Sequence, residues 1–181
     1  STDTKKEMKF CVWHHGFKPS ITILDPELTL TLPRNLTAWT GFDALTHAIE
    51  AFLVPSFNPL CDAMALEALK LVSRFLPVAY NEPNNISARA GMLVGSCLAG
   101  VSFLKGLGLV HSISHMIGAE YNTHHGLTNA IVLPVVLRFN LEGMDSQTAT
   151  IAQNMHLEES SAAKLILSLI HISEPTRRKH I

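Results

Sequence analysis

The stretch "LVHSISHMIGAEY" constrains this chain more than any other, because it sets His111 and His115 four apart on an otherwise apolar helix. Residues at that spacing share one face, so both imidazoles enter whatever the helix packs against. A buried imidazole left without partners costs about 1–3 kcal/mol. Metal, a carboxylate or water must answer for it. His125 follows in "HHGLTNA", just ahead of a glycine and a further helix, and its neighbour His124 is expected to point elsewhere, into solvent. Asp43 and His47 in "GFDALTHAIE" repeat the four-residue spacing, which serves either chelation of one ion or an ordinary surface pair. His14, His15, His156, His171 and His180 fall in loops, a late helix or the tail, where solvation is the expectation.

Three neutral nitrogens and one carboxylate suit a borderline divalent cation, Fe(II) or Zn(II), with one or two positions left for a substrate oxygen. Mg(II) and Ca(II) would call for oxygen ligands. Which four residues converge is not fixed by spacing alone.

Around these motifs the chain reads as an all-α array of short-looped helices after position 33. "KFCVW" and "SITILD" are short β-branched or aromatic runs that predict two strands around a loop. Helical periodicity begins in "RNLTAWTGFDALTHAIEAFLV", with Thr37 as a candidate cap and Pro55 and Pro59 as breakers. "LCDAMALEALKLVSRFLPVAY" predicts an amphipathic helix ending near Pro77. "ISARAGMLVGSCLAGVSFL" is rich in small residues and is expected at the middle of a bundle. "LTNAIVLPVVLRFN" and "SQTATIAQNM" predict two more helices.

Apolar residues make up 47% of the 181 and charged ones 16%, and the net charge is −1. No basic field marks a nucleic-acid surface. Cys11, Cys61 and Cys97 form no CxxC pair, which fits a reducing cytoplasm and argues against a thiolate zinc site. No secretory signal is visible, and no run is expected to reach the roughly 20 apolar residues of a membrane span.

"ILDPELTLTLPRNLTAWTGFDALTHAIEAF" followed by "GLGLVHSISHMIGAEYNTHHGLTNAIVLP" resembles the iron-containing (group III) alcohol dehydrogenase family from about Lys9 to Asn140. The resemblance implies that Asp43, His47, His111 and His125 bind the metal, Fe2+ or, in some relatives, Zn2+. It further implies that His115 relays a proton beside the substrate, that Phe103 lines the substrate pocket, and that Lys9 approaches the nicotinamide ribose. The implied reaction is NAD(P)-linked hydride transfer between a small alcohol and its aldehyde, in a cytoplasmic enzyme that forms a homodimer when full length. The implied fold is the helical C-terminal domain of that family, preceded by a short β remnant of a dinucleotide-binding domain.

The boundaries follow: 1–33 for the remnant, 34–166 for the helical metal-binding domain, and 167–181 for a tail. "LSLIHISEPTR" looks like a translated sequencing-library adapter, so the tail is expected to be foreign, and resequencing the locus would decide it. No glycine-rich phosphate turn precedes a helix, so this chain alone is expected to turn over little. Alternatives are a zinc-dependent glycerol dehydrogenase or a dehydroquinate synthase relative, a helical metal-dependent hydrolase using Glu50 or Glu120 as base, and a bundle whose histidines satisfy one another.

Overall fold

The computed structural model of the chain describes residues 14–157 and, by backbone alone, two short strands. Strand β1 (Thr2–Asp3) pairs antiparallel with β2 (Met8–Lys9), Thr2 opposite Lys9. Of "KFCVW" only Lys9 is described. "SITILD" is irregular instead of a strand, with Ile21 and Ile23 exposed. A β-run keeps its shape through a hydrogen-bonded neighbour, and among the described residues none pairs with it. Asp25 then accepts the Glu27 N–H at 3.0 Å and caps a single 3-10 turn, Pro26–Thr29.

From Arg34 the chain is helical, as expected: α1 (Arg34–Leu53), α2 (Pro59–Asn81), α3 (Ile86–Ser102), α4 (Leu109–Glu120), α5 (His125–Asn140) and α6 (Asp145–Asn154). Local chemistry sets several ends. Asn58 and Asn85 cap α2 and α3 by accepting the Cys61 and Ala88 N–H groups, and Pro59 sits in the first turn of α2, where its missing N–H is harmless. Thr37 is no cap. Helix α1 already starts at Arg34, and the Thr37 hydroxyl accepts a hydrogen bond from Arg89 at 2.8 Å. Nor does Pro77 end α2, which continues to Asn81. The ring lies on the exposed face, where water can take the freed carbonyl, and packing on both sides of Pro77 outweighs its cost of about 3 kcal/mol.

Helix α1 is the centre of the bundle, touching α2, α3 and α5. Phe42, Leu45, Ala48 and Ile49 on α1 join Leu69 and Val72 of α2 and Leu133 and Leu137 of α5 in one core. Full burial of each large side chain contributes about 1.5–3 kcal/mol. Helix α3, expected at the middle, lies to one side. It packs on α2 and α1 through Ala88 and Ala99, while Val94 and Val101 face outward. Small residues allow a close approach but do not require neighbours all round.

The stretch Ile86–Lys105 does have the length and apolar composition of a membrane-crossing helix, contrary to expectation. It carries the buried Arg89, whose guanidinium donates to Pro83 O, Thr37 Oγ1 and Leu32 O and ties three segments together. Residues 158–181, with the expected tail, lie outside the described residues.

Candidate metal centre

Three helices supply the site. On α1, Asp43, His47 and Glu50 stand at i, i+4 and i+7 and so share a face. Helix α4 brings His111 and His115, and α5 starts at His125. The start of α5 can reach α1 because residue 126 is glycine. A Cβ there would lie 2.1 Å from the Trp39 carbonyl oxygen, a distance no packed structure tolerates.

Asp43 Oδ1 is the hub. His125 Nε2 lies 3.3 Å from it, His111 Nε2 3.5 Å and His47 Nδ1 4.0 Å. Ligand atoms of Asp43, His47 and His111 all fall within 4.8 Å of one another. Donors bound at about 2.0–2.2 Å around a tetrahedral ion stand about 3.4 Å apart. His125 and His111 stand at about that spacing from Asp43, while His47 lies somewhat farther off and His125 is outside the mutually close trio. The N/O donor set suits a cation such as Fe(II) or Zn(II).

His115 stands next to this group. Its ring centroid is 5.0 Å from that of His125 and 6.1 Å from that of His111. Phe103, in the 3-10 turn Phe103–Lys105 before α4, stacks on His47 at 5.2 Å and 25°. His47 in turn stacks on His111 at 4.5 Å. Strand β2 lies beside α4, but the Lys9 side chain is outside the described residues. His124 departs from expectation: it is half-buried, with its ring 4.7 Å from that of Trp39, near where Gly126 meets the Trp39 carbonyl. His14 and His156 are exposed, as expected.

The group is electrostatically coupled. Burial works to raise the Asp43 carboxyl, yet hydrogen bonds to His111 and His125 hold it well below the ordinary carboxylate range. His47 is lowered to about 4, chiefly by burial, with the Asp43 charge only partly compensating. Burial would also lower His111, but the carboxylates of Asp43 and Glu50 prevail and raise it to about 9.

Sequence reasoning assigned no role to Asn129 and named Glu50 only as a candidate base in the hydrolase alternative. Asn129, fully buried, donates its amide to Asp43 Oδ1 at 2.7 Å and lies 3.2 Å from Nε2 of both His111 and His125. The signal was its place one turn after His125. Glu50 Oε2 lies 2.6 Å from His111 Nδ1, on the side of the ring away from Asp43. As a hydrolytic base it would have to face the open position, and it does not; Glu120 is exposed at the far end of α4.

The sequence matches the Fe-containing alcohol dehydrogenase family, C-terminal, over residues 37–174. The chain belongs to the iron-containing alcohol dehydrogenase family. The match continues past Leu167, where a foreign tail is expected. Within the family, the chain is similar to the NAD-dependent methanol dehydrogenase of Bacillus methanolicus, with 42% identity over 84% of this chain and 40% of the relative. It is 36% identical to the NADPH-dependent butanol dehydrogenase of Clostridium saccharobutylicum over 98% of this chain and 46% of that one. Its fold superimposes on the crystal structure of a 1,3-propanediol oxidoreductase with a TM-score of 0.81 and 40% identity, covering 86% of this chain and 42% of that one. The chain thus spans less than half the length of these relatives of the iron-containing alcohol dehydrogenase family and corresponds to their helical C-terminal domain.

Proposed function

We propose that the chain carries the metal centre of an Fe2+-dependent, NAD(P)-linked alcohol dehydrogenase and aldehyde reductase, with Asp43, His47, His111 and His125 as ligands. The observation that carries this reading is the gathering of three imidazoles from three helices around one carboxylate oxygen, at 3.3–4.0 Å. A divalent iron held there would supply Lewis-acid polarisation of an alcohol or carbonyl oxygen.

The remaining work falls to the chain's own side chains. Asp43 contributes the negative charge, and the imidazoles contribute neutral nitrogens. Phe103 braces the His47 ring and offers an apolar wall to a small alcohol. His115, close to His125 and partly exposed, carries the substrate's proton between the site and water. Lys9 is assigned to the nicotinamide ribose. The relatives' names include both NAD- and NADPH-dependent enzymes, so the reading covers both cofactors. It also includes a cytoplasmic location and a homodimer for the full-length enzyme, and a foreign tail from residue 167.

A zinc enzyme of the glycerol dehydrogenase type is the second reading, favoured only by the donor set, which zinc satisfies equally. Metal analysis of chain purified without oxygen separates the two. About one iron per chain, lost in Asp43→Ala and His125→Ala, is the expected result. Zinc in its place supports the second reading, and metal retained by both variants defeats the assignment of ligands.

A further inference from the structure

Helix α4 has no cap of its own. Its N-cap residue is Gly108, and no side chain of the preceding turn accepts its first N–H groups. The acceptor comes from α1. Glu50 Oε1 accepts the Val110 N–H at 2.7 Å, while Oε2 lies 3.4 Å from the His111 backbone nitrogen and 2.6 Å from His111 Nδ1. The carboxylate fills the space a side chain at 108 would take, since a Cβ there would stand 2.6 Å from Oε1. Glu50 is 3% exposed and His111 2%. A carboxylate buried so deeply requires donors on its oxygens, and these are backbone and ring donors of α4.

The consequence reaches the site. A ring whose Nδ1 hydrogen is held by a carboxylate turns its Nε2 outward as a lone-pair donor, and such pairing raises the basicity of a ligating imidazole. His111 Nε2 is the atom that faces Asp43, at 3.5 Å. Two carboxylates, Asp43 and Glu50, also balance the charge of a divalent cation. The same contact therefore starts the helix and sets the ring.

We infer that Glu50 is a positioning residue of the metal centre, which caps α4 and locks the His111 ring with its proton on Nδ1 and its Nε2 toward the cation. The inference rests on the reading of Asp43, His47, His111 and His125 as ligands, and its test keeps the two apart. In the full wild-type chain, nitrogen-correlated proton NMR is expected to show a downfield, slowly exchanging His111 Nδ1–H both without metal and with Zn2+. A ring lacking a proton on Nδ1 in either state overturns the inference. Zn2+ affinity, measured by chelator competition, is expected to fall about 10–100-fold in Glu50→Gln, the effect typical of lost outer-shell partners. A second variant, Gly108→Ala, crowds the carboxylate without replacing it and is expected to weaken Zn2+ binding in the same direction. Unchanged affinity in a folded Glu50→Gln chain overturns the inference. If the wild-type chain takes up no Zn2+, the ligand reading falls, and the Nδ1–H signal alone decides whether Glu50 sets the ring.

Discussion

His125 Nε2 and Asp43 Oδ1 lie 3.3 Å apart although they belong to α5 and α1. The contact exists because α5 begins against the α1 backbone, with Gly126 under the Trp39 carbonyl. Gly126→Ala is therefore expected to push the helices apart, costing about 1–3 kcal/mol as an overpacked core does. Denaturant unfolding measures that loss. Metal affinity should drop with it, since His125 moves with the helix start.

Asn129 donates its amide to Asp43 Oδ1 and stands 3.2 Å from Nε2 of both His111 and His125. Asn129→Ala leaves a partly buried carboxylate without that donor, at a cost of about 1–3 kcal/mol. A cation held by the proposed ligands would engage Asp43, His111 and His125 at the same atoms, so the loss should be smaller in its presence. Thermal melts of the variant with and without Zn2+ are expected to differ by more than those of the wild type. An equal difference in both proteins counts against Asn129 as the link.

The metal-free chain should be most stable near pH 6.5. Above it, His111, raised from 6.5 to about 9, stays protonated in the fold after the unfolded chain has released its proton. That stabilisation is complete below 6.5 and is lost as the pH climbs through 9. Below 6.5, His47, lowered to about 4, refuses a proton that the unfolded chain accepts, so stability also falls toward pH 4. The depressed Asp43 adds a further loss at lower pH, as its carboxylate is protonated. Each histidine contributes on the order of 1–3 kcal/mol. Chemical denaturation across pH 4–9 measures the curve, and a flat profile would falsify the coupling.

Lys105 closes the 3-10 turn that begins at Phe103, and its nearly buried ammonium bonds to Asp62 and to the Phe52 carbonyl. Removing only the acid strands a buried charge. Asp62→Ala is expected to destabilise the chain by about 3 kcal/mol, whereas Lys105→Met, which removes the charge and keeps the apolar stem, should cost less. Comparison of the two unfolding midpoints tests the asymmetry.

Sequence reasoning went furthest where a rule is local. The pairs Asp43/His47 and His111/His115 were legible because four residues make about one helical turn, and the helices themselves were legible from apolar spacing. It failed where an outcome depends on a neighbour. Pro77 reads as a stop, yet α2 passes through it because the surrounding turns are packed. "SITILD" reads as a strand, yet no partner pairs with it among the described residues. Glu50 was seen only as a candidate hydrolytic base, since nothing local says that it meets the start of a helix beginning at Leu109.

The amino-acid order by itself determined the helical class, the donor types and which of them share a helix face, because backbone geometry repeats within a few residues. Only the tertiary structure decided that α1 is central, that His125 meets Asp43, that Glu50 bonds His111 on the side away from Asp43, and that Asn129 stands among Asp43, His111 and His125. Those relations depend on how closely two helices can approach, which packing sets at points such as Gly126 and Gly108 and no local periodicity records.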